Sequence, residues 1–454
     1  MTATAKILFI CSHLVGRLRS IDTLATRLRA DGHKVILAVP PPVKKHLNTS
    51  SEDVVEIDDF NLGGAQGEAP SSLRDFLPSQ RRKRLSDLEN RVNTGSVKKL
   101  IQSEAPDLVV IDYEMHPHII AALGTLTPVA LFTTHFITQP SSHNPPLHTT
   151  LVPGRDSSVA IWRAWIKIWI KLRKKTIKTW IATGGTDYLS LLKHMAKEEG
   201  FDLRRHTTRW WWQTPCFWRS LPLIIAQSPA LDFSTDYDSQ LRHVGPMLPP
   251  TNPNDTYDDD EAIKYALRER NRGKRVVYIS FGSAFKAEPN VVANTWKAIG
   301  NYEDAVAIQS TGGRKDFKAS HAPKNVLLVD WAPQNKLLQL CDAAIMHGGV
   351  NTLTECIATD TPVLSIPGGI DQPGTTARIV YHGLGLACSK RSATEEIGKA
   401  LRRLLDDPSF RKRCAEMRHA FEVLERDMKA EKIFQELLNE TKSTAPARLR
   451  NQRK

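Results

Sequence analysis

Ala343-Ala-Ile-Met-His347-Gly-Gly349-Val-Asn351-Thr352-Leu-Thr-Glu355-Cys-Ile-Ala358 is the stretch that decides the fold. Its first residues are a short apolar run of buried-strand length, and its last carry apolar side chains at helical spacing. Between them two glycines allow a tight turn and a close approach of backbone to ligand, while Asn351 and Thr352 open a helix whose first N–H groups point outward. Strand, glycine turn and helix in that order form the phosphate-binding unit of a doubly wound sheet.

The same alternation runs outward from this stretch. Downstream, Pro362–Ile366 reads as a strand and Thr375–His382 as a helix; upstream, strands are predicted at Arg275–Phe281, Ala305–Gln309 and Val326–Asp330, with a helix near Val291–Ile299. The N-terminal half repeats the pattern with strands at Lys6–Cys11, Lys34–Val39, Leu108–Asp112 and Val129–Thr133 and helices at Asp22–Ala30 and around Ile119–Leu123. The 454 residues suffice for two domains. The fold class is therefore α/β, with two doubly wound, Rossmann-like domains facing across a cleft. The reading assigns 1–248 to the first domain, 249–274 to a linker rich in turn formers, 275–440 to the second domain and 441–454 to a basic, disordered tail. The last helices, roughly Glu395–Leu405 and Pro408–Leu438, could pack on either domain.

Composition narrows the function. With 41% hydrophobic and 24% charged residues, the chain is a folded globular protein. Six scattered cysteines indicate neither a zinc site nor a disulfide framework, which fits a reducing cytosol. The apolar run Ile7–Cys11 is too short for a signal-peptide core, and no stretch approaches the roughly 20 apolar residues of a membrane span. The net charge of +13 is concentrated: residues 155–219 carry +9 and eight of the ten tryptophans, and the tail adds +5. At ~100° per residue, Arg163, Lys167, Lys171, Lys174 and Lys178 share one arc of a helix over 160–181, with Trp162, Trp165, Trp169 and Trp180 opposite. That division predicts a helix resting on an anionic membrane surface, widened by Trp210, Trp211, Trp212, Phe217 and Trp218. A peripheral position on the inner face of a membrane follows, and nucleic acid is not an expected partner.

Three clusters carry the chemistry: Trp331-Ala-Pro-Gln334, the His347 to Glu355 turn, and Pro367-Gly-Gly-Ile-Asp371-Gln372. The helix dipole, the imidazole of His347 and the side chains of Asn351 and Thr352 can stabilise a diphosphate leaving group without a metal ion. Either Asp371 or Ser283 alone would pass for a cap or a turn residue.

Together these residues resemble the signature of the UDP-dependent glycosyltransferases of the family-1, B-fold type, and the run from Asp371 to Gly385 is most similar to the bacterial zeaxanthin glucosyltransferases. The resemblance implies Trp331 flat on the uracil, Gln334 beside the nucleoside and Glu355 on the ribose hydroxyls. It implies Asp371 and Gln372 on the sugar, with Gln372 tilting the donor toward glucose, Gly349 at the phosphates and Ser283 in a second phosphate loop. It further implies an inverting hexosyl transfer to an apolar or lipid acceptor, with UDP-sugar as co-substrate and no cofactor or metal. In the same family a histidine after the first strand takes the acceptor proton and a later aspartate orients it. Here Arg17 holds the histidine's place and Asp112 matches the aspartate; arginine stays protonated and is no base. Three readings stay open: Asp112 as base, ranked first and joined by His13; His13 as the imidazole; or an anionic acceptor paired with Arg17. A catalytically silent binder of nucleotide-sugar or lipid is the alternative function.

Overall fold

The computed structural model describes residues 4–47, 49, 51–58, 67–208, 217–233, 240–248, 260–282, 288–313 and 322–451. The first domain holds strands β1 (Lys6–Ile10), β2 (Lys34–Val39), β3 (Val54–Glu56), β4 (Leu108–Asp112) and β5 (Val129–Thr133). A small antiparallel pair follows, β6 (Thr207–Thr208) with β7 (Phe217–Trp218), and then β8 (Leu223–Ile225) and β9 (Leu241–His243). Its helices are α1 (Val15–Ala30), α2 (Pro78–Val92), α3 (Gly95–Glu104), α4 (His116–Leu123), α5 (Ser158–Ala182), α6 (Tyr188–Glu198) and the single turn α7 (Leu203–His206). The second domain contains α8 (Glu261–Asn271), β10 (Arg275–Ser280), α9 (Pro289–Gly300), β11 (Ala305–Ser310), β12 (Val326–Val329), α10 (Gln334–Gln339) and β13 (Ala343–Met346). It continues through α11 (Val350–Ala358), β14 (Val363–Ser365), α12 (Gln372–His382), β15 (Gly385–Ala387), α13 (Thr394–Asp406), α14 (Ser409–Arg426) and α15 (Lys429–Asn451).

Both large sheets are wholly parallel, in the orders β3-β2-β1-β4-β5-β8-β9 and β12-β11-β10-β13-β14-β15. Central strands such as Leu108–Asp112 are buried at every position, as a sheet covered by helices on both faces requires. Strand order reverses beside β1 and β4 in one sheet and beside β10 and β13 in the other, and such switch points open crevices at the carboxyl ends of strands.

Three features depart from the sequence reading. The stretch read as linker contains α8, capped by Asp260, whose carboxylate accepts from the Ala262 and Ile263 N–H groups; Ala262, Ile263 and Ala266 then join the second core. The long C-terminal helix is broken at Met428, which adopts φ +51°, so α14 stays on the second domain while α15 crosses back. Ala430, Ile433, Phe434, Leu437 and Leu438 enter the first core, with the Phe434 ring 6.2 Å from Phe9. The backbone of α15 runs helical to Asn451, into the stretch read as a disordered tail.

A buried ionic clamp joins the domains. Arg378 of α12 donates from Nε to Asp232 Oδ1 at 2.7 Å, and its guanidinium lies 4.2 and 4.3 Å from the Phe136 and Phe233 ring centres. Nearby, the Gly374 N–H donates to the Leu147 carbonyl at 2.5 Å. These contacts fix where the two strand ends face each other.

Candidate active site

The β10–β13 pairing sets Ser280 beside Met346, so the residue after β13, His347, comes to the Ser280 carbonyl, with Nδ1 3.4 Å from that oxygen. Glycine is required on both sides of the ring: a Cβ at Gly282 would stand 2.8 Å from His347 Cε1, and one at Gly349 2.6 Å from Nε2. Gly348 adopts φ +87°, the left-handed region. Burial lowers the His347 pKa, partly offset by the Ser280 carbonyl and Asp371. No side chain caps α11 at Gly349, so its first N–H groups remain available to an anion.

Gln334, at the start of α10, accepts from the Tyr278 hydroxyl at 2.9 Å and donates to Glu355. Burial raises the Glu355 carboxyl to about 7, against the opposing pull of Gln334 and Arg19. Trp331 is 60% exposed, with its indole lying where a Cβ on Gly313 would come within 3.3 Å. It is a presented ring, not a core residue. Asp371 stands at the head of α12 without capping it; instead its Oδ2 lies 2.7 Å from His135 Nδ1 of the first domain. Burial raises Asp371, but His135 and Arg17 outweigh it and the carboxyl is held low. Gln372 is buried, and its Oε1 accepts from the N–H groups of Gly368 and Gly369 at 2.8 and 3.2 Å, which leaves its amide nitrogen as the group that can reach a sugar. Asn351 and Thr352 sit on the first turn of α11, and Thr354 donates to Gln227 of the first domain at 3.3 Å. Ser283 lies outside the described residues.

Facing α11 is the loop after β1. A Cβ on Gly16 would strike the Asn351 amide, so the two domains meet at the head of α11. Here the expected catalytic cluster differs from the reading. Asp112 is fully buried and spends both oxygens: Oδ2 accepts from Ser12 Oγ at 2.5 Å, and Oδ1 accepts from Arg17 Nη1 at 2.5 Å and from the Glu114 N–H at 3.1 Å. Arg17 is also buried, and its Nη2 pairs with Glu114 Oε1 at 3.0 Å. Burial works against the Arg17 charge, but Asp112 and Glu114 more than offset it and raise its pKa. Glu114, which burial alone would raise, is brought down to about 2 by Arg17, with His135 and His116 adding to the effect. An anionic acceptor would have to compete with both carboxylates for Arg17, and a hydroxyl would have to displace Ser12 or Arg17 to reach Asp112. Half-buried His13 sits on the same loop, next to Ser12.

Ser12 and Glu114 were missed in the sequence. Their only signal is position, since each follows the carboxyl end of a central strand. His116 and His118 prove to be core residues: His116 Nδ1 accepts from Trp218 Nε1 at 2.9 Å, and burial lowers His118 to about 4.

Residues 295–437 match the family model described as erythromycin biosynthesis protein CIII-like, C-terminal domain. A zeaxanthin glucosyltransferase of Pantoea ananas is 34% identical over 115 residues, which cover 25% of this chain and 27% of that protein. The oleandomycin glycosyltransferase of Streptomyces antibioticus is 30% identical over 198 residues, covering 40% and 45%. The matched stretches thus span under half of these relatives' own length. Among solved structures, the spinosyn forosaminyltransferase SpnP superposes with a TM-score of 0.63 at 17% identity over 96% of this chain and 100% of that one. The calicheamicin glycosyltransferase CalG4 gives 0.62 at 17% identity over 96% and 99%. Residues 295–437 are thus similar in sequence to the C-terminal domain of such glycosyltransferases, and the whole chain shares their two-domain, B-type fold.

Proposed function

We propose that the protein moves a hexose, glucose by the Gln372 position, from UDP to the hydroxyl of an apolar acceptor, with inversion. One observation carries this reading: the uncapped head of α11, with His347 beside it, faces the start of α1, where Gly16 meets Asn351, across a cleft that also gathers Gln334, Glu355, Asp371 and Gln372. The uracil stacks on exposed Trp331, and the ribose hydroxyls donate to Glu355. That carboxylate favours a ribonucleotide, although VinC, a glycosyltransferase of similar fold, was solved with dTDP.

In the proposed step the acceptor oxygen bonds to the anomeric carbon as the bond from that carbon to the diphosphate oxygen breaks. The N–H groups of α11 and His347 meet the charge developing on the leaving group, so the step uses no divalent ion. The proton passes to His13, which stands next to Ser12 between β1 and α1 and is half-buried there. Asp112 then acts as a positioning residue that fixes Ser12 and Arg17. The alternative, a silent binder, would hold the donor without turnover.

Calorimetry with UDP and dTDP, followed by release of UDP from UDP-glucose in the presence of EDTA and a long-chain alcohol, tests this reading. Preference for UDP and EDTA-resistant release are expected. Preference for dTDP, or release that returns only with added Mg²⁺ or Mn²⁺, would overturn the corresponding part.

A further inference from the structure

Helix α5 is 25 residues long and its sequence contains seven Lys or Arg and neither Asp nor Glu. Its N-terminus is fixed by Ser157, whose hydroxyl accepts from the Ala160 N–H. Three side chains are buried, Ile161, Trp165 and Ile168, and the Trp165 indole donates to the Asn144 carbonyl at 2.9 Å. From Trp169 to Ala182 no side chain is buried. The helix is therefore held along one narrow face of its first half and presents the rest outward.

The outward surface is divided. At ~100° per residue, Trp162, Trp169 and Trp180 lie next to the docked face, and Ile166, Ile170, Ile177 and Ile181 continue the same arc for about 120° in all; Arg173 interrupts this arc, its guanidinium 5.9 Å from the Trp169 ring centre, and Lys175 falls outside the basic arc. All seven are exposed, Ile166 and Ile177 to 54% and 59%. The next arc holds Arg163, Lys167, Lys171, Lys174 and Lys178. Trp165, read in the sequence as part of the outer stripe, faces the core, and so do Phe217 and Trp218, while Trp210, Trp211 and Trp212 lie outside the described residues. A second basic strip adjoins the far end: a Cβ on Gly185 would come within 2.9 Å of Arg81 Cδ and 3.3 Å of Trp180 Nε1, which places Trp180 beside the Arg-rich start of α2.

We infer that this exposed face of α5 docks the N-terminal domain on an anionic lipid bilayer. An apolar arc of this extent is unusual on a soluble surface. Indoles and isoleucines suit the boundary between headgroups and acyl chains, while lysines reach past them to anionic headgroups. A second copy of the chain is a poor occupant, because two such helices would bring basic arcs together with no carboxylate on either to pair. Among the described residues no helix is long and apolar enough to cross a membrane, so the contact is one of surface and not of span. None of the exposed residues of this face is among the candidate donor residues, so vesicle binding and UDP binding are read in separate measurements.

The test is co-sedimentation of the full chain with vesicles of phosphatidylcholine alone or mixed with phosphatidylglycerol, at low and high salt, with bromolipid quenching of tryptophan emission as a second readout. Wild type should pellet with the anionic vesicles at low salt, be quenched there, and dissociate as salt rises. The triple variant Lys167→Glu, Lys171→Glu, Lys174→Glu and the triple variant Ile166→Ser, Ile170→Ser, Ile177→Ser should each partition about tenfold or more weakly with UDP affinity unchanged. Wild type that stays in the supernatant at low salt overturns the inference whatever the variants do. So does equal pelleting by the Glu variant, or a wild-type dimer that the Ser variant abolishes in the absence of vesicle binding.

Discussion

Arg17 Nη1 lies 2.5 Å from Asp112 Oδ1, both side chains being almost wholly out of water. A guanidinium at this place does not abstract a proton; it neutralises two carboxylates at the end of the first sheet. Removing one partner of a buried pair leaves an uncompensated charge, at a cost of about 3 to 5 kcal/mol. Arg17→Ala should therefore lower stability by about that amount in urea unfolding, with Arg17→Lys intermediate. A fully stable Arg17→Ala protein would show that the cluster is not structural.

His13→Ala is expected to reduce turnover by ~10² or more while UDP affinity and unfolding midpoint stay near wild type. Asp112→Asn should instead lose stability together with activity, since the amide pairs poorly with Arg17. The two outcomes separate in a side-by-side measurement of kcat and urea midpoint. A normal His13→Ala enzyme with a folded, dead Asp112→Asn enzyme would return the base to Asp112.

Trp331→Ala should weaken UDP binding by about 1 to 3 kcal/mol, on the scale of base stacking against aromatic side chains. The ring is exposed, so the substitution removes a platform without opening a cavity, and the unfolding midpoint should not move. Calorimetry with an unchanged UDP affinity would remove Trp331 from the donor site.

The Glu355 carboxyl, raised to about 7 by burial, is protonated below that pH in the free protein and ionised above it. An ionised carboxylate accepts more strongly from the ribose hydroxyls. Uridine, which carries no phosphate of its own to titrate, should bind more tightly as pH rises from 6 to 8, by up to about tenfold per unit below the pKa. Glu355→Gln should flatten that dependence. A uridine affinity independent of pH in wild type would contradict the assignment.

The fold was legible where a buried strand is a nearly continuous apolar run of about five residues: Leu108–Asp112 and Val129–Thr133 match the reading residue for residue, whereas the three-residue Leu223–Ile225, equally buried, was not read. Short edge strands such as Val54–Glu56 carry no such run and were not read. Helix α8 was hidden by the acidic turn formers ahead of it, although Asp260 before an amphipathic run is itself a helix-start signal. The candidate donor residues could be named from the sequence because they fall in three short stretches of one domain, Trp331–Gln334, His347–Glu355 and Pro367–Gln372. On the acceptor side the family resemblance set Asp112 against the position of Arg17, but Ser12 and Glu114, which complete the cluster, carry no pattern of their own. The tryptophans show the same limit: Trp162 and Trp165 are three residues apart, and which of them faces the core depends on what α5 packs against.

Transfer of a hexose from UDP to an apolar hydroxyl leaves a product whose mass can be measured. The full chain is incubated with UDP-glucose, a total lipid extract and EDTA, and the extract is searched for species heavier by one hexose. Wild type should give such a species with UDP formed in equal amount, and the His13→Ala variant should lose it. UDP-glucose that binds but remains intact, with no hexose-bearing product from a panel of UDP-sugars, would contradict the proposed transfer.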